Sequence, residues 1–288
     1  MPIEVNELCY SYKKGTPFEK QVLFEISLTI KEGESIGLIG PTQSGKTTLA
    51  QHLNALIIPQ RGKVIINGCN TAARNADLIS LRQKVGYIFQ NPDYQLFAPT
   101  VGEDIAFGPK NQGLAKDEVS ARVRNAMSQV GLDYTTFVNR DIYALSGGQK
   151  RRAAIAGVLA CLPEILILDD VTAGLDPKGR EEMIALIRDL HSRQGITIIF
   201  ISNSMDEVAK LAERIIVLKE GRIFLDGLTR HIFSEAAALK EIGLELPEVM
   251  KLTTQLSAKG FNLPPALLTI DEAAKSIYEL LHERQAGH

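Results

Sequence analysis

Cysteine is scarce in this chain: Cys9, Cys69 and Cys161 stand far apart, with no C-x-x-C pair among them. That spacing argues against a disulfide framework or a thiolate zinc site and fits a reducing cytosol. Long apolar runs are missing too, since none approaches the ~18 residues of a membrane-spanning helix. The opening stretch, MPIEVNELCYSYKKG, lacks the apolar segment of a signal peptide. A protein of this kind that works at a membrane does so from outside the bilayer. Neither sign of charge dominates: the formal net charge is -2, so nothing marks a polyanion-binding surface and no nucleic-acid partner is expected. Internal repeats and low-complexity segments are absent as well. What remains is an ordinary globular composition, 45% hydrophobic and 23% charged. Its 288 residues suffice for one large domain plus a smaller appendage.

Three short apolar runs read as buried parallel strands: ESIGLIG (34–40), EILILDD (164–170) and ITIIFIS (196–202). After Asp176, PKGREEMIALIRDLHSRQ sets Met183, Ile187 and Leu190 on one helical face, with acids in the first turn. GGQKRRAAIAGVLACLP similarly places Ile155, Val158, Leu159 and Leu162 on one stripe and stops at Pro163. Strand alternating with helix predicts an α/β sheet. The first 30 residues and KVIING (63–68) read instead as antiparallel strands, and 214–227 as a strand pair around Glu220-Gly221. Beyond about residue 230 the pattern turns helical, joined through a Pro-containing stretch. There TIDEAAKSIYELL carries a Thr269-x-x-Glu272 capping box and apolar Ala273, Ile277 and Leu280.

The chemistry-bearing residues fall in two clusters. GPTQSGKTT spans Gly40, Pro41, Thr42, Gln43, Ser44, Gly45, Lys46, Thr47 and Thr48 and matches G-x-x-x-x-G-K-[ST] between a strand and a helix. Backbone N–H groups there can hold phosphate oxygens, Lys46 adds positive charge, and the Thr47 hydroxyl can ligate Mg²⁺. An ordinary Gly-rich turn is the bland alternative. With a phosphate loop present, the strand ending in Asp169 gains a partner, a Mg²⁺ ion; alone it reads as a solvated strand end. The second cluster is LSGGQKRR, where Ser146 caps a helix while Gly147 and Gly148 permit close backbone approach, with Gln149 next in line.

At this point the sequence resembles the ATP-binding cassette (ABC) ATPases. Tyr12, the phosphate loop, FQNP with Gln90, LSGGQ, ILILDD and AGLD ending in Asp176 occur in that family's order, over residues 1 to about 230. The resemblance implies an α/β, P-loop NTPase fold of ABC type: a parallel-sheet core, an antiparallel β subdomain and a helical subdomain at about 90–160. A small helical C-terminal extension, 231–288, follows and is expected to contribute a dimer contact. It further implies two ATPs sandwiched head to tail, each on the phosphate loop of one subunit and the Ser-Gly-Gly of the other. Tyr12 would stack on adenine, against the alternative of simple packing. Gln90 would join the Mg²⁺ and attacking-water region, against that of an exposed loop residue. Residues 89–109, FQNPDYQLFAPTVGEDIAFGP, resemble the ATPases of energy-coupling factor transporters, which take up vitamins or cobalt and nickel ions. The helical tail resembles that subfamily's extension. Partners then include a second ATPase subunit, a transmembrane coupling subunit and a substrate-binding membrane subunit, at the cytoplasmic face of the cell membrane. Leu96, Phe97, Ile105 and Phe107 would form the groove for the coupling helix; a surface loop plus short helix is the alternative.

Departures from the family pattern carry as much information as the matches. The family follows the Mg²⁺-linked Asp with Glu as general base. Here stands Asp170, shorter by one methylene or roughly 1.5 Å of reach. Asn203 occupies the place of a switch His and cannot exchange a proton near neutral pH. None of His52, His191, His231, His282 and His288 lies nearby in sequence to replace it. Gln43 replaces a loop glycine and Val171 a proline. Together these changes lead us to expect a site that binds ATP and cleaves it slowly, in one half of an unequal pair whose intact LSGGQ completes the partner's site. A homodimer in which Asp170 and Asn203 suffice stays open, as does a non-transport module using ATP as a dimer clamp.

Overall fold

The computed structural model describes residues 2–286. Its first two strands, β1 (Ile3–Tyr12) and β2 (Lys20–Ile30), pair antiparallel with Ile3 opposite Ile30 and Tyr12 opposite Lys20. In β1 the buried side chains run Ile3, Val5 and then Leu8, so the alternation slips by one residue. A bulge explains the slip: the register shifts between Val5 and Leu8, where Glu7 takes φ 47. Next come β3 (Ser35–Ile39), α1 (Lys46–Leu53), β4 (Arg61–Ile66) and β5 (Cys69–Asn70). The antiparallel sheet has the order β2-β1-β4-β5.

After α2 (Leu78–Lys84) and β6 (Val85–Ile88) the chain leaves for a helical region. This holds α3 (Val101–Asn111), α4 (Lys116–Gln129), α5 (Tyr134–Phe137) and α6 (Gly147–Leu159). It returns through β7 (Ile165–Asp169), α7 (Pro177–Gln194), β8 (Thr197–Ile201), α8 (Met205–Leu211), β9 (Arg214–Lys219) and β10 (Arg222–Leu228). The larger sheet has the order β10-β9-β3-β8-β7-β6, parallel throughout except for β10. Its parallel strands are buried on both faces and alternate between two cores, whereas the edge strand β10 has no buried residue. Ile165 and Ile167 face the antiparallel sheet, with Ile3, Leu8 and Leu23; Leu166 and Leu168 face the helices, with Ile105, Ile155 and Ile187.

Four helices close the chain: α9 (Thr229–Ser234), α10 (Ala236–Glu241), α11 (Glu248–Ala258) and α12 (Ile270–Ala286). Ile232, Phe233, Leu239 and Met250 join the helix-side core of the main sheet, and α9 follows β10 directly, without a linker. Of the extension read as 231–288, residues 287–288 lie outside the described residues.

Several expectations need correction. Helix α6 ends at Leu159, before Pro163. Leu162 takes φ 55 and stands exposed, and Val158 is half-buried, so the stripe is narrower than expected. The first turn of α7 holds no acid, because Asp176 is its N-cap and Glu181 and Glu182 fall a turn later. Only half of the expected capping box at Thr269 forms as read. The Glu272 N–H donates to Thr269 Oγ1 at 3.2 Å, while the Glu272 carboxylate accepts from Leu268 N.

Candidate active site

The phosphate-loop residues fold into a tight turn between β3 and α1. At Gly40 φ is 150, and a Cβ would sit 2.1 Å from the Leu218 carbonyl oxygen, so only glycine fits. Gln43 takes φ 66, a left-handed conformation that costs a side-chain-bearing residue about 1–2 kcal/mol. The buried Lys46 ammonium donates to the carbonyls of Gly40 at 2.7 Å and Pro41 at 2.9 Å. Its burial lowers the Lys46 pKa, while the nearby Asp169 and Asp170 charges oppose that shift. Ser44 Oγ is buried within the loop and has no hydrogen-bond partner.

A cavity of about 460 Å³ lies over this loop, lined by Gln43 to Thr48, Tyr12, Phe24 and the Glu220-Gly221 turn. Tyr12 is partly exposed; its hydroxyl lies 3.1 Å from Thr48 Oγ1 and its ring meets Tyr10 edge-on at 5.0 Å. Phe24 in β2 and Gly221 in the β9–β10 turn are not recognisable as site residues from sequence, because both lie far from the phosphate loop along the chain. The Glu220-Gly221 turn was the one available sequence signal, and in the structure Gly221 takes φ 74 there.

The two carboxylates at the end of β7 have different surroundings. Asp169 is buried and its Oδ2 accepts from the Tyr87 hydroxyl at 2.8 Å; burial and the adjoining carboxylate push the Tyr87 phenol far up. The strand then breaks, with Asp170 at φ 52. Its Oδ2 accepts from both Gln90 Nε2 and Asn203 Nδ2, each at 3.3 Å. Burial, then the Asp169 and Glu207 charges, raise the Asp170 pKa; Asn203 and Lys46 pull it down. Asn203 also shares a cavity of about 370 Å³ with Gly40, Pro41 and Thr42. Among the described residues no histidine lines that cavity; His288 lies outside them. Arg151, unremarked in sequence, is buried and donates to the Gln90 carbonyl at 3.3 Å and the Ala173 carbonyl at 2.9 Å.

Ser146, Gly147, Gly148, Gln149 and Asp176 do not join this group. They line a separate cleft of about 610 Å³. Ser146 caps α6: its Oγ accepts from Gln149 N at 3.3 Å and the Gln149 side chain accepts from Ser146 N at 3.0 Å. Asp176 caps α7 by accepting from Gly179 N. A Cβ on Gly147 would meet nothing of this chain within 4 Å, so its missing side chain leaves an open face.

The residues expected to form a groove in 89–109 divide. Leu96 and Ile105 are buried in the core and do not line it. Phe97 and Phe107 are exposed, meet edge-on at 4.7 Å, and line a groove of about 290 Å³ with Phe89, Val158 and Cys161.

Comparison with known proteins places this geometry in a family. The ABC transporter profile matches residues 23–173. An energy-coupling factor transporter ATP-binding protein, EcfA2, of Clostridium perfringens (strain 13 / Type A) is 48% identical over 281 residues. That alignment covers 98% of this chain and 99% of the relative. Among solved structures, cbiO1 from Clostridium perfringens, described as part of the ABC transporter complex cbiONQ, superposes with a TM-score of 0.73 at 36% identity. It covers 88% of this chain and 98% of its own. A dimeric cassette, MJ0796, in a post-hydrolysis state bound to ADP and Pi, gives 0.71 at 28% identity, over 79% of this chain and 99% of that one. With the phosphate loop, the strand-end carboxylates and the Ser-Gly-Gly cleft all in place, the chain belongs to the ABC transporter family, among the ATP-binding proteins of energy-coupling factor transporters, as an ATPase whose hydrolysis is coupled to transport.

Proposed function

We propose that this chain is the hydrolysis-weakened half of an unequal ATPase pair that energises uptake of a vitamin or a transition-metal ion. The observation that carries the reading is the separation of two clefts on one chain. ATP on the phosphate loop would be served by Tyr12 and Gln43 to Thr48, whereas Ser146, Gly147 and Gly148 open outward, toward a nucleotide held by another subunit. The dimeric ADP-bound cassette among the structural relatives supports that arrangement.

In this reading Lys46 and the loop N–H groups hold the phosphates. Thr47, Gln90 and Asp169 offer hydroxyl, amide and carboxylate oxygens, a donor set that suits Mg²⁺, and the unpartnered Ser44 Oγ leaves a further polar atom for the phosphate–metal group. Bound there, Mg²⁺ would neutralise charge on the phosphates. Gln90 and Asn203 hold the Asp170 carboxylate, which stops short of where a longer base would place its oxygens. The exposed Phe97 and Phe107 present an apolar groove for a transmembrane coupling subunit, at the cytoplasmic face of the membrane. A separate membrane subunit would select the solute. The C-terminal helices would add to the contact between ATPase chains.

The test uses three variants, each assembled with an unmodified partner, with transport and ATP hydrolysis both measured. Ser146→Arg puts bulk and a misplaced side chain against the partner's γ-phosphate and should reduce both by about 100-fold or more. Asp170→Asn removes an already inefficient base and should lower uptake only modestly, with Lys46→Ala between the two. Equal, near-complete loss from Asp170→Asn and Ser146→Arg would overturn the unequal pair in favour of a homodimer or two competent sites. Retention of ATP-driven dimerisation with no associated membrane subunit would favour the clamp.

A further inference from the structure

Glu207 is a carboxylate with almost no contact with water, 3% exposed, in the first turn of α8. Neither the phosphate loop nor the Ser146 cleft includes it, yet it gathers donors from three separate segments. Its Oε2 accepts from Thr172 Oγ1 at 2.6 Å and from Ser202 Oγ at 2.9 Å; its Oε1 pairs with Arg180 Nε at 3.3 Å. Thr172 and Ser202 are themselves buried, and Ser202 Oγ also accepts from Ser204 N at 3.0 Å. These partners have a pattern. Thr172 lies two residues beyond Asp170, and Ser202 immediately precedes Asn203. Arg180 stands in the first turn of α7, whose N-cap is Asp176. Glu207 therefore grips both ends of the segment Ala173-Gly174-Leu175-Asp176, which forms one wall of the Ser146 cleft.

We infer that Glu207 is a positioning residue that ties this wall, and with it the site completed for the partner subunit, to the strand end carrying Asn203. A buried carboxylate held by two hydroxyl donors and one ion pair has little freedom to shift, because each lost partner leaves it under-satisfied at low dielectric. A displacement at Asn203 is thus passed to residues 173–176. The inference rests on the two-chain reading above, since the wall matters to hydrolysis only if a partner's nucleotide lies against it.

The experiment uses the full complex with Lys46→Ala in this chain throughout, so that turnover reports the partner's phosphate loop. Glu207→Gln keeps the shape and removes the charge; Thr172→Val keeps the shape and removes one donor. Each should lower kcat about tenfold, the scale set by misplacement of less than 1 Å, with KM for ATP changed less than about twofold. The double variant should be no worse than the worse single, because both break one linkage. Thr172→Ser, which restores the hydroxyl, should recover most of the rate. Unchanged kcat, or additive losses that follow melting temperature and KM alike, would reduce Glu207 to packing and overturn the inference. Should Glu207→Gln fail to fold, the Thr172→Val and Thr172→Ser pair decides the matter alone. Ser146→Arg in the same background separates the two ideas. If it leaves turnover intact, the two-chain reading itself is wrong; if it abolishes turnover while Glu207→Gln and Thr172→Val do nothing, only the role of Glu207 fails.

Discussion

Replacing Asp170 by Glu, with or without Asn203→His, should raise hydrolysis at this chain's own site, and the structure sets the scale. Asp170 sits at φ 52, and its Oδ2 is reached by Gln90 and Asn203 at 3.3 Å each, just past the usual 2.7–3.2 Å range. Two neutral amides at that length form a loose tether. A further methylene carries the carboxylate oxygens roughly 1.5 Å outward, and an error of about 1 Å costs on the order of 100-fold. Asp170→Glu alone should therefore recover between about ten- and 100-fold in the chemical step. Asn203→His adds a group able to hold and exchange a proton, so the pair should be non-additive. Single-turnover hydrolysis is the assay, in a complex whose other phosphate loop is disabled. Repeating it with Gln43→Gly, which relieves the left-handed strain at φ 66, shows whether the loop limits the gain. No increase in either background would refute the argument from reach.

Three further outcomes are expected. The isolated chain should bind Mg-ATP yet turn it over slowly, and brisk steady-state hydrolysis without a partner would contradict this. Asp170→Asn should raise the melting temperature of the nucleotide-free protein at neutral pH, because burial and the Asp169 and Glu207 charges raise the Asp170 pKa above its unfolded value. Such a group contributes stability that is full below its unfolded pKa and lost as pH rises through the folded one. The gap should accordingly close as pH falls below the ordinary carboxylate range, and a pH-independent gap in thermal melts would exclude this cause. Phe233→Ala should cost about 3–5 kcal/mol in denaturant unfolding of the whole chain, as a fully buried core aromatic does; loss of the C-terminal helices alone would show a separate folding unit.

Much of this protein is legible from local pattern. Apolar runs of about five residues ending in glycine, charge or small polar residues report β3, β7 and β8, since strands buried on both faces need no polar alternation. The helix α7 is legible in register and extent from its 3.6-residue period, and in the structure Asp176 caps its start and Gly195 its end. Where local signals are weak, tertiary packing decides. Leu162 extends the apolar stripe of α6 in sequence, yet the chain must turn toward β7 and takes φ 55 there. Leu96 and Ile105 share apolar chemistry with Phe97 and Phe107, and periodicity over so short a stretch does not say which pair faces the core.

The division has a physical basis. Short-range steric and hydrogen-bonding preferences act within a few residues, so the sequence by itself determined the phosphate loop, the Ser146 cap, the buried strands β3, β7 and β8, and the missing methylene at Asp170. Tertiary structure alone decided which distant groups meet: Tyr87 with Asp169, Gln90 and Asn203 with Asp170, and Glu207 with Thr172 and Arg180. The Asp169 and Asp170 pairings depend on β6, β7 and β8 lying side by side, with partners 33 to 82 residues apart in sequence brought together where the C-terminal ends of these strands meet. The cost of leaving a buried carboxylate without donors selects them, and that cost exists only once the core has closed around the charge.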